Sequence, residues 1–329
     1  MLYGLCLTKA SVIPESVGLK GTYMLLIMNF LNITLPRRSL FAMLPALLTA
    51  CSAVDVLNAT VSTCTYARTE ALAYGPDARQ QLDIYQPKNP TMSALNNAPM
   101  VVFFYGGSWS MGERADYRFV GEALASQGIV TVVADYRLSP QARYPAFVQD
   151  SALAVRWAFD HAAQYGASPS RIFVMGHSAG AYNAAMVALD ERWLKAVGLT
   201  PMRLAGWIGL AGPYDFLPIG DARTQVAFNW PGTPADSQPL FHASRASPPA
   251  LLLAPAQDRV VDPQRSTVAL ARRLKASGVR VESELFDGVS HVTLVASMAS
   301  VLRGRAPVLE RITAFVSSTG RLGSTGSTS

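Results

Sequence analysis

The chain has 329 residues, half of them hydrophobic, with 28 basic against 22 acidic side chains and a formal net charge of +6. That length and apolar content can bury a large core, which excludes a disordered or fibrous chain and suits one α/β domain of roughly 250 to 280 residues. Residues 1–50 hold Lys9, Lys20, Arg37 and Arg38 against Glu15 alone, and the 24 basic and 21 acidic residues that follow form no basic run interleaved with aromatics, so nucleic acid is not an expected partner.

The predicted organisation is a leader over residues 1–50, a lead-in over 51–74, an α/β domain over 75–317 with a lid-like insertion at 216–246, and a disordered tail over 318–329. Residues 1–27 lie upstream of an alternative start at Met28. In the leader, MNFLNITLPRRSLFAMLPALLTACS places a basic pair, a short apolar run and small residues before Cys51. That is the layout of an export signal rather than of a spanning helix. Its ending, Leu48–Cys51, resembles the lipobox of bacterial lipoproteins. The resemblance implies cleavage before Cys51 and a lipid on its sulfur, which would hold the protein at a membrane; otherwise it would be secreted. With Cys6 removed and Cys51 modified, Cys64 would stand alone, leaving neither a disulfide framework nor a cysteine metal site.

Residues 53–75 read as a loose or helical lead-in. The sheet is predicted to begin at RQQLDIYQP, where Leu82 and Ile84 alternate with polar residues as in an outer antiparallel strand. Strands then alternate with helices: MVVFFY and YRFVGEALASQG, IVTVVADY and AFVQDSALAVRWAFDHAAQYG, RIFVM and AGAYNAAMVALD. Short, uniformly apolar strands between amphipathic helices predict a parallel sheet covered on both faces. Further strands are predicted at LAGWIGLAG, PALLLAP and RVESELF, with helices at QRSTVALARRLKASG and PVLERITAFVSS.

Gly176–Gly180, GHSAG, is the candidate reactive centre. A Gly-x-Ser-x-Gly step arises by chance in roughly one chain in ten of this length, so its context must decide. Here it sits between a predicted strand and a predicted helix, where a sharp turn would expose the Ser178 hydroxyl above the sheet. Gly176 and Gly180 leave room where a Cβ would clash as strand and helix pass. A serine nucleophile needs a base, an acid and oxyanion donors. Of the four histidines, His291, after the last strand, fits the chain order of nucleophile, acid and base. His161, His177 and His242 do not. Asp258 follows PALLLAP and is the favoured acid; Asp262, beside Pro263, reads as a helix cap, and Asp287 is the outside candidate. Gly106 and Gly107 follow MVVFFY, so the amides of Gly107, Ser108 and Ala179 are the expected oxyanion donors.

Together with YGPDARQQLDIYQP, DYRLSP, AGPYDF, PPALLLAPAQDRVV and DGVSH, these residues resemble the α/β-hydrolase superfamily over about residues 75–317. Within it, they resemble the esterases that carry His-Gly-Gly-x-Trp before the elbow. The resemblance implies an α/β-hydrolase fold and a serine carboxylesterase without cofactor or metal, acting on a small-molecule ester. Arylformamidase (kynurenine formamidase-like) and feruloyl-type esterase activities are the alternatives, and a non-catalytic binding protein on the same fold is the alternative of another class. Tyr105 stands where the family usually has histidine. Trp109, Phe228 and Trp230 are the candidates for shaping a substrate pocket.

Overall fold

The computed structural model describes residues 53–88 and 97–319. The leader, Cys51 and nearly all of the tail therefore lie outside the described residues. The chain divides into two units, Met1–Val56 and Leu57–Ser329, and the sheet with its site belongs to the second. A helix α1 (Ala53–Ala59) precedes the sheet.

Eight strands form one sheet in the order β1-β2-β4-β3-β5-β6-β7-β8. They are β1 (Tyr66–Ala73), β2 (Gln81–Pro87), β3 (Ala98–Phe104), β4 (Val130–Ala134), β5 (Ala167–His177), β6 (Gly206–Leu210), β7 (Ala250–Pro255) and β8 (Val281–Phe286). β1 and β2 pair antiparallel, and β2 pairs antiparallel with β4, whereas the pairs from β4 through β8 are parallel. Strand β1 corrects the expected lead-in: the sheet begins one strand earlier than the pattern suggested. YARTEALA is mostly exposed, and an edge strand with one weakly apolar face carries little periodic signal. β2 is antiparallel as expected, but it lies between β1 and β4 rather than outermost. Asp83 is buried, held by Arg68 Nη2 at 2.7 Å, Arg114 Nε at 2.9 Å and the Ala71 amide at 2.8 Å. Cys64 is disulfide-bonded; its standing alone is expected only of a chain cleaved before Cys51 and lipidated there.

Helices α2 (Arg118–Ala125), α3 (Ala146–His161), α4 (Ala179–Leu189), α5 (Glu191–Lys195), α6 (Ala222–Ala227), α7 (Ala269–Ala276), α8 (His291–Ala296) and α9 (Val308–Thr319) follow in chain order. The core strands are apolar on both faces because helices cover both, and β4, β6 and β7 are buried at every position. α9 buries Val308, Leu309, Ile312, Phe315 and Val316 along one stripe, each side chain worth about 1.5–3 kcal/mol of apolar burial. Its last residue, Thr319, places the helix end inside the span expected to be a disordered tail.

Two features position the site. β3 lies between β4 and β5, so the chain reverses its direction of travel across the sheet there, and a crevice opens at the carboxyl ends of β3 and β5. α4, buried along its whole length, crosses close to β3 and β5. A methyl group at Gly176 would run into the Gly180 carbonyl, and one at Gly180 into the Phe104 carbonyl.

The insertion is fastened to the body rather than free. Within it, Gln238 is fully buried and its Oε1 accepts from the Phe216 amide at 2.8 Å. Tyr182 Oη donates to the Ser237 carbonyl at 2.7 Å, and the Tyr144 amide donates to the Ala227 carbonyl at 2.7 Å.

Candidate active site

Ser178 caps α4 with φ 53° and ψ −121°, a conformation that costs a non-glycine residue about 1–3 kcal/mol. Its amide donates to the Leu210 carbonyl at 2.9 Å, and its carbonyl accepts from Ala181 and Tyr182 at 2.9 and 3.1 Å. These bonds from strand and helix hold the turn open, with the hydroxyl standing over the helix N-terminus. Ser178 lines a cleft of about 500 Å³ together with Ser108, Trp109, Ala179, Phe216 and Val260.

Asp258, in the loop after β7, meets His291, the first residue of the helix after β8. His291 Nδ1 lies 2.7 Å from Asp258 Oδ2, and the Asp258 side chain is fully buried. Asp258 Oδ1 accepts from the amides of Val260 and Val261 at 2.8 and 3.2 Å. Burial opposes the charge, but hydrogen bonds from His291 and these amides outweigh it and hold the carboxyl below its usual range. The carboxylate can only accept, so Nδ1 carries the proton and Nε2 keeps its lone pair. His291 opens α8 rather than lying in a loop, and its backbone is set by a capping box between Ser290 and Thr293.

The other candidates sit elsewhere. Asp262 Oδ1 accepts from the amides of Gln264 and Arg265 at 2.8 and 3.3 Å, the work of a cap. Asp287 borders a separate cavity of about 720 Å³ that also touches His291, Arg259 and Val260. His161 stacks on Trp157, and His242 bonds the Asp236 carbonyl at 2.6 Å.

The glycine loop lies against the elbow. A Cβ on Gly106 would stand 2.9 Å from His177 Nδ1 and 3.0 Å from Ser178 Cβ. Gly107, Ser108 and Trp109 all have positive φ, at 129°, 50° and 55°. The Gly107 carbonyl accepts from the amides of Ser110 and Met111 at 3.0 and 3.1 Å, which curls the loop. Among the described residues, the amides of Gly107, Ser108 and Ala179 donate to no backbone carbonyl, and Ser108 and Ala179 line the cleft.

Tyr105 does not leave the histidine position empty of contacts. Its hydroxyl donates to Asp135 Oδ1 at 2.8 Å and accepts from Arg79 Nη2 at 2.6 Å, and its ring stacks on Tyr136 at 4.8 Å. Burial, with the Tyr136 and Asp135 charges behind it, pushes the phenol far up, so it remains a donor.

The pocket expectation is corrected. Trp109 lines the cleft, but Phe228 and Trp230 are absent from its wall. Phe228 packs edge-on against Trp109 at 4.8 Å and is 1% exposed, one layer behind. Phe216, Ile219, Asp221 and Thr224 supply the wall instead. Asp221 Oδ1 is taken by the Thr224 amide and hydroxyl, at 2.9 and 2.8 Å. His177, which does not fit the chain order of the triad, donates Nε2–H to the His291 carbonyl at 2.9 Å. Its place inside GHSAG was the available signal.

Residues 82–274 match the BD-FAE family. The chain belongs to that family. A probable isoprenylcysteine alpha-carbonyl methylesterase of Arabidopsis thaliana is 27% identical over 246 residues, 68% of this chain and 51% of that one. A carboxylesterase of Mycobacterium tuberculosis is 44% identical over 95 residues, 28% of this chain and 30% of its own. This BD-FAE chain thus spans about half the length of the first of these relatives. Esterase B of Lactobacillus rhamnosis superposes with a TM-score of 0.70 at 18% identity, covering 86% of this chain and 97% of that one. A thermostable carboxylesterase from a metagenomic library gives 0.63 at 22%, covering 80% and 93%. The fold is the α/β-hydrolase fold.

Proposed function

We propose that the protein is a serine carboxylesterase. One observation carries the reading: the 2.7 Å Asp258–His291 hydrogen bond, assembled at the sheet end that bears the Ser178 elbow. The relatives' names support it.

Ser178 Oγ attacks the ester carbonyl carbon, and its proton passes to His291 Nε2. The carbonyl oxygen becomes an oxyanion that accepts from the Gly107, Ser108 and Ala179 amides. Asp258 holds the ring in the required tautomer and stabilises the imidazolium. As the tetrahedral intermediate collapses, the bond to the alcohol oxygen breaks and Nε2 returns the proton to it. Water then attacks the acyl-enzyme by the same route, releasing the acid and restoring Ser178. Among the described residues Ser178 Oγ has no hydrogen-bond partner; in this mechanism the contact with His291 tightens when substrate is bound. No cofactor enters any step.

The test is hydrolysis of a ladder of p-nitrophenyl esters, with a methyl ester of a prenylated cysteine, a feruloyl ester and N-formylkynurenine alongside. Wild type is expected to turn over short or medium acyl esters and to be labelled at Ser178 by a fluorophosphonate. Absence of both turnover and labelling would refute the proposal.

Localisation follows from LTAC, which supports a lipid-anchored, exported form. A lipid on Cys51 occupies its sulfur, and cleavage removes Cys6, so this form excludes an intrachain Cys64 disulfide. Expression from Met28 in a bacterium is expected to give a membrane-associated product beginning at Cys51, and Cys51→Ser should abolish fatty-acid labelling. An unmodified mature terminus at another residue would favour a plain secretory signal.

A further inference from the structure

We propose that Arg79 is a positioning residue for the oxyanion loop, fastening both of its ends through one guanidinium. The inference rests on the esterase reading for its kinetics and on loop geometry for its structural part.

The loop between Tyr105 and Gly112 is not one that backbone preference would hold. Gly107, Ser108, Trp109 and Gly112 all have positive φ, and two of the four carry side chains that resist it. Its internal turn, closed on the Gly107 carbonyl, sets its curl but not its placement over the elbow. Placement requires contacts from outside.

Arg79 supplies them at both ends. Nη2 donates to the Tyr105 hydroxyl at 2.6 Å and to the Gly112 carbonyl at 2.9 Å. Nε donates to the Tyr136 carbonyl at 2.9 Å, and Tyr136 Oη in turn donates to the Tyr105 carbonyl at 2.8 Å. Gly112 has φ 100°, and a Cβ there would press on the Tyr105 ring at 2.9 Å, so the two ends are also packed together. Beyond Tyr105, Asp135 accepts the phenolic hydrogen bond and pairs with Arg114, whose Nε reaches Asp83 at 2.9 Å. Tyr105 is thus gripped between a cation and an anion. A planar guanidinium can bond several oxygens in fixed directions, whereas an ammonium offers only a point charge. None of these groups touches the place where an ester would sit, so Arg79 acts on the reaction through the amides of Gly107 and Ser108.

Arg79 also borders a cavity of about 440 Å³, lined by Asp77, Ser110 and Ser139 among others. This offers a route for chemical rescue. Arg79→Ala is expected to lower kcat by about tenfold to a hundredfold with KM within about threefold, since the misplaced donors serve the oxyanion more than the ground state. Low millimolar guanidinium, far below denaturing levels, should restore part of the loss in Arg79→Ala and do nothing to wild type. Arg79→Lys should fall between the two. Amide hydrogen exchange, which needs no substrate, should speed up in the segment spanning residues 105–112 of Arg79→Ala and stay unchanged in α9. A folded Arg79→Ala with wild-type kcat and unaltered exchange in that segment would overturn the proposal. Wild type without ester turnover, but with exchange in that segment raised by Arg79→Ala, would sink the esterase reading while retaining the fastening.

Discussion

Replacing His177 with glutamine should flatten the acid side of the protein's stability profile. His177 is buried, and its Nε2–H is committed to the His291 carbonyl at 2.9 Å. Its Nδ1 is buried without a partner and faces Gly106. A proton added there would place a charged N–H against a Cα with nothing to accept it. Burial, and secondarily the neighbouring His291 charge, therefore lower the pKa from 6.5 to about 3. The folded state keeps His177 neutral while the unfolded chain takes up a proton near its ordinary value. Its neutral form consequently contributes full stability above about pH 6.5, and that contribution is lost as pH falls toward 3, at up to about 1.36 kcal/mol per unit. Between about pH 7.5 and about pH 4.5 the loss sums to about 2.5 kcal/mol. For a domain of this size that is about 5 °C in Tm. Glutamine can present an N–H near the position of Nε2 and does not titrate. Thermal unfolding of wild type and His177→Gln across this range should show the wild-type Tm falling by about 5 °C more than the variant's. Parallel curves would refute the reasoning and mean that the folded protein accommodates the proton.

Ser178→Ala and His291→Ala should each lower kcat about 10⁴- to 10⁶-fold, read in steady-state ester hydrolysis, and near-wild-type activity in either would dismiss the mechanism. Asp258→Asn should cost about 10⁴ by favouring the wrong imidazole tautomer, whereas Asp262→Asn, which keeps a capping oxygen, should leave both Tm and kcat little changed, kcat within severalfold. Tyr105→Phe removes the hydroxyl between Arg79 and Asp135 and should lower kcat at least about tenfold with KM little changed; an unchanged kcat would leave ring stacking as what holds that end of the loop. Phe216→Ala opens the cleft wall, so the preferred acyl chain in the p-nitrophenyl ladder should lengthen, with kcat/KM for the longest esters rising relative to acetate; an unmoved preference would place the acyl group elsewhere.

Strands β2 to β8, the principal helices and the order of Ser178, Asp258 and His291 could be read from the chain alone. These were legible because a strand buried on both faces must be apolar throughout, and because a strand–turn–helix with glycines at Gly176 and Gly180 allows few alternatives. The choice of Asp258 over Asp262 was also legible, since Pro263 marks the start of a helix that Asp262 caps. The rest depends on contacts between residues far apart in the chain. Strand β1 was hidden because an exposed edge has too little apolar pattern to read. Phe228 and Phe216 lie twelve residues apart on one insertion with similar chemistry, and only packing around Trp109 puts one in the cleft wall and the other behind it. Asp83 is buried in β2 because Arg68 and Arg114 arrive from elsewhere to neutralise it. Arg79 carried no periodicity, and the place of His177 inside GHSAG did not say what its ring would bond. Their roles come from hydrogen bonds to partners distant in the chain, 33 residues away for Arg79 and Gly112 and 114 for His177 and His291, which no local pattern can encode.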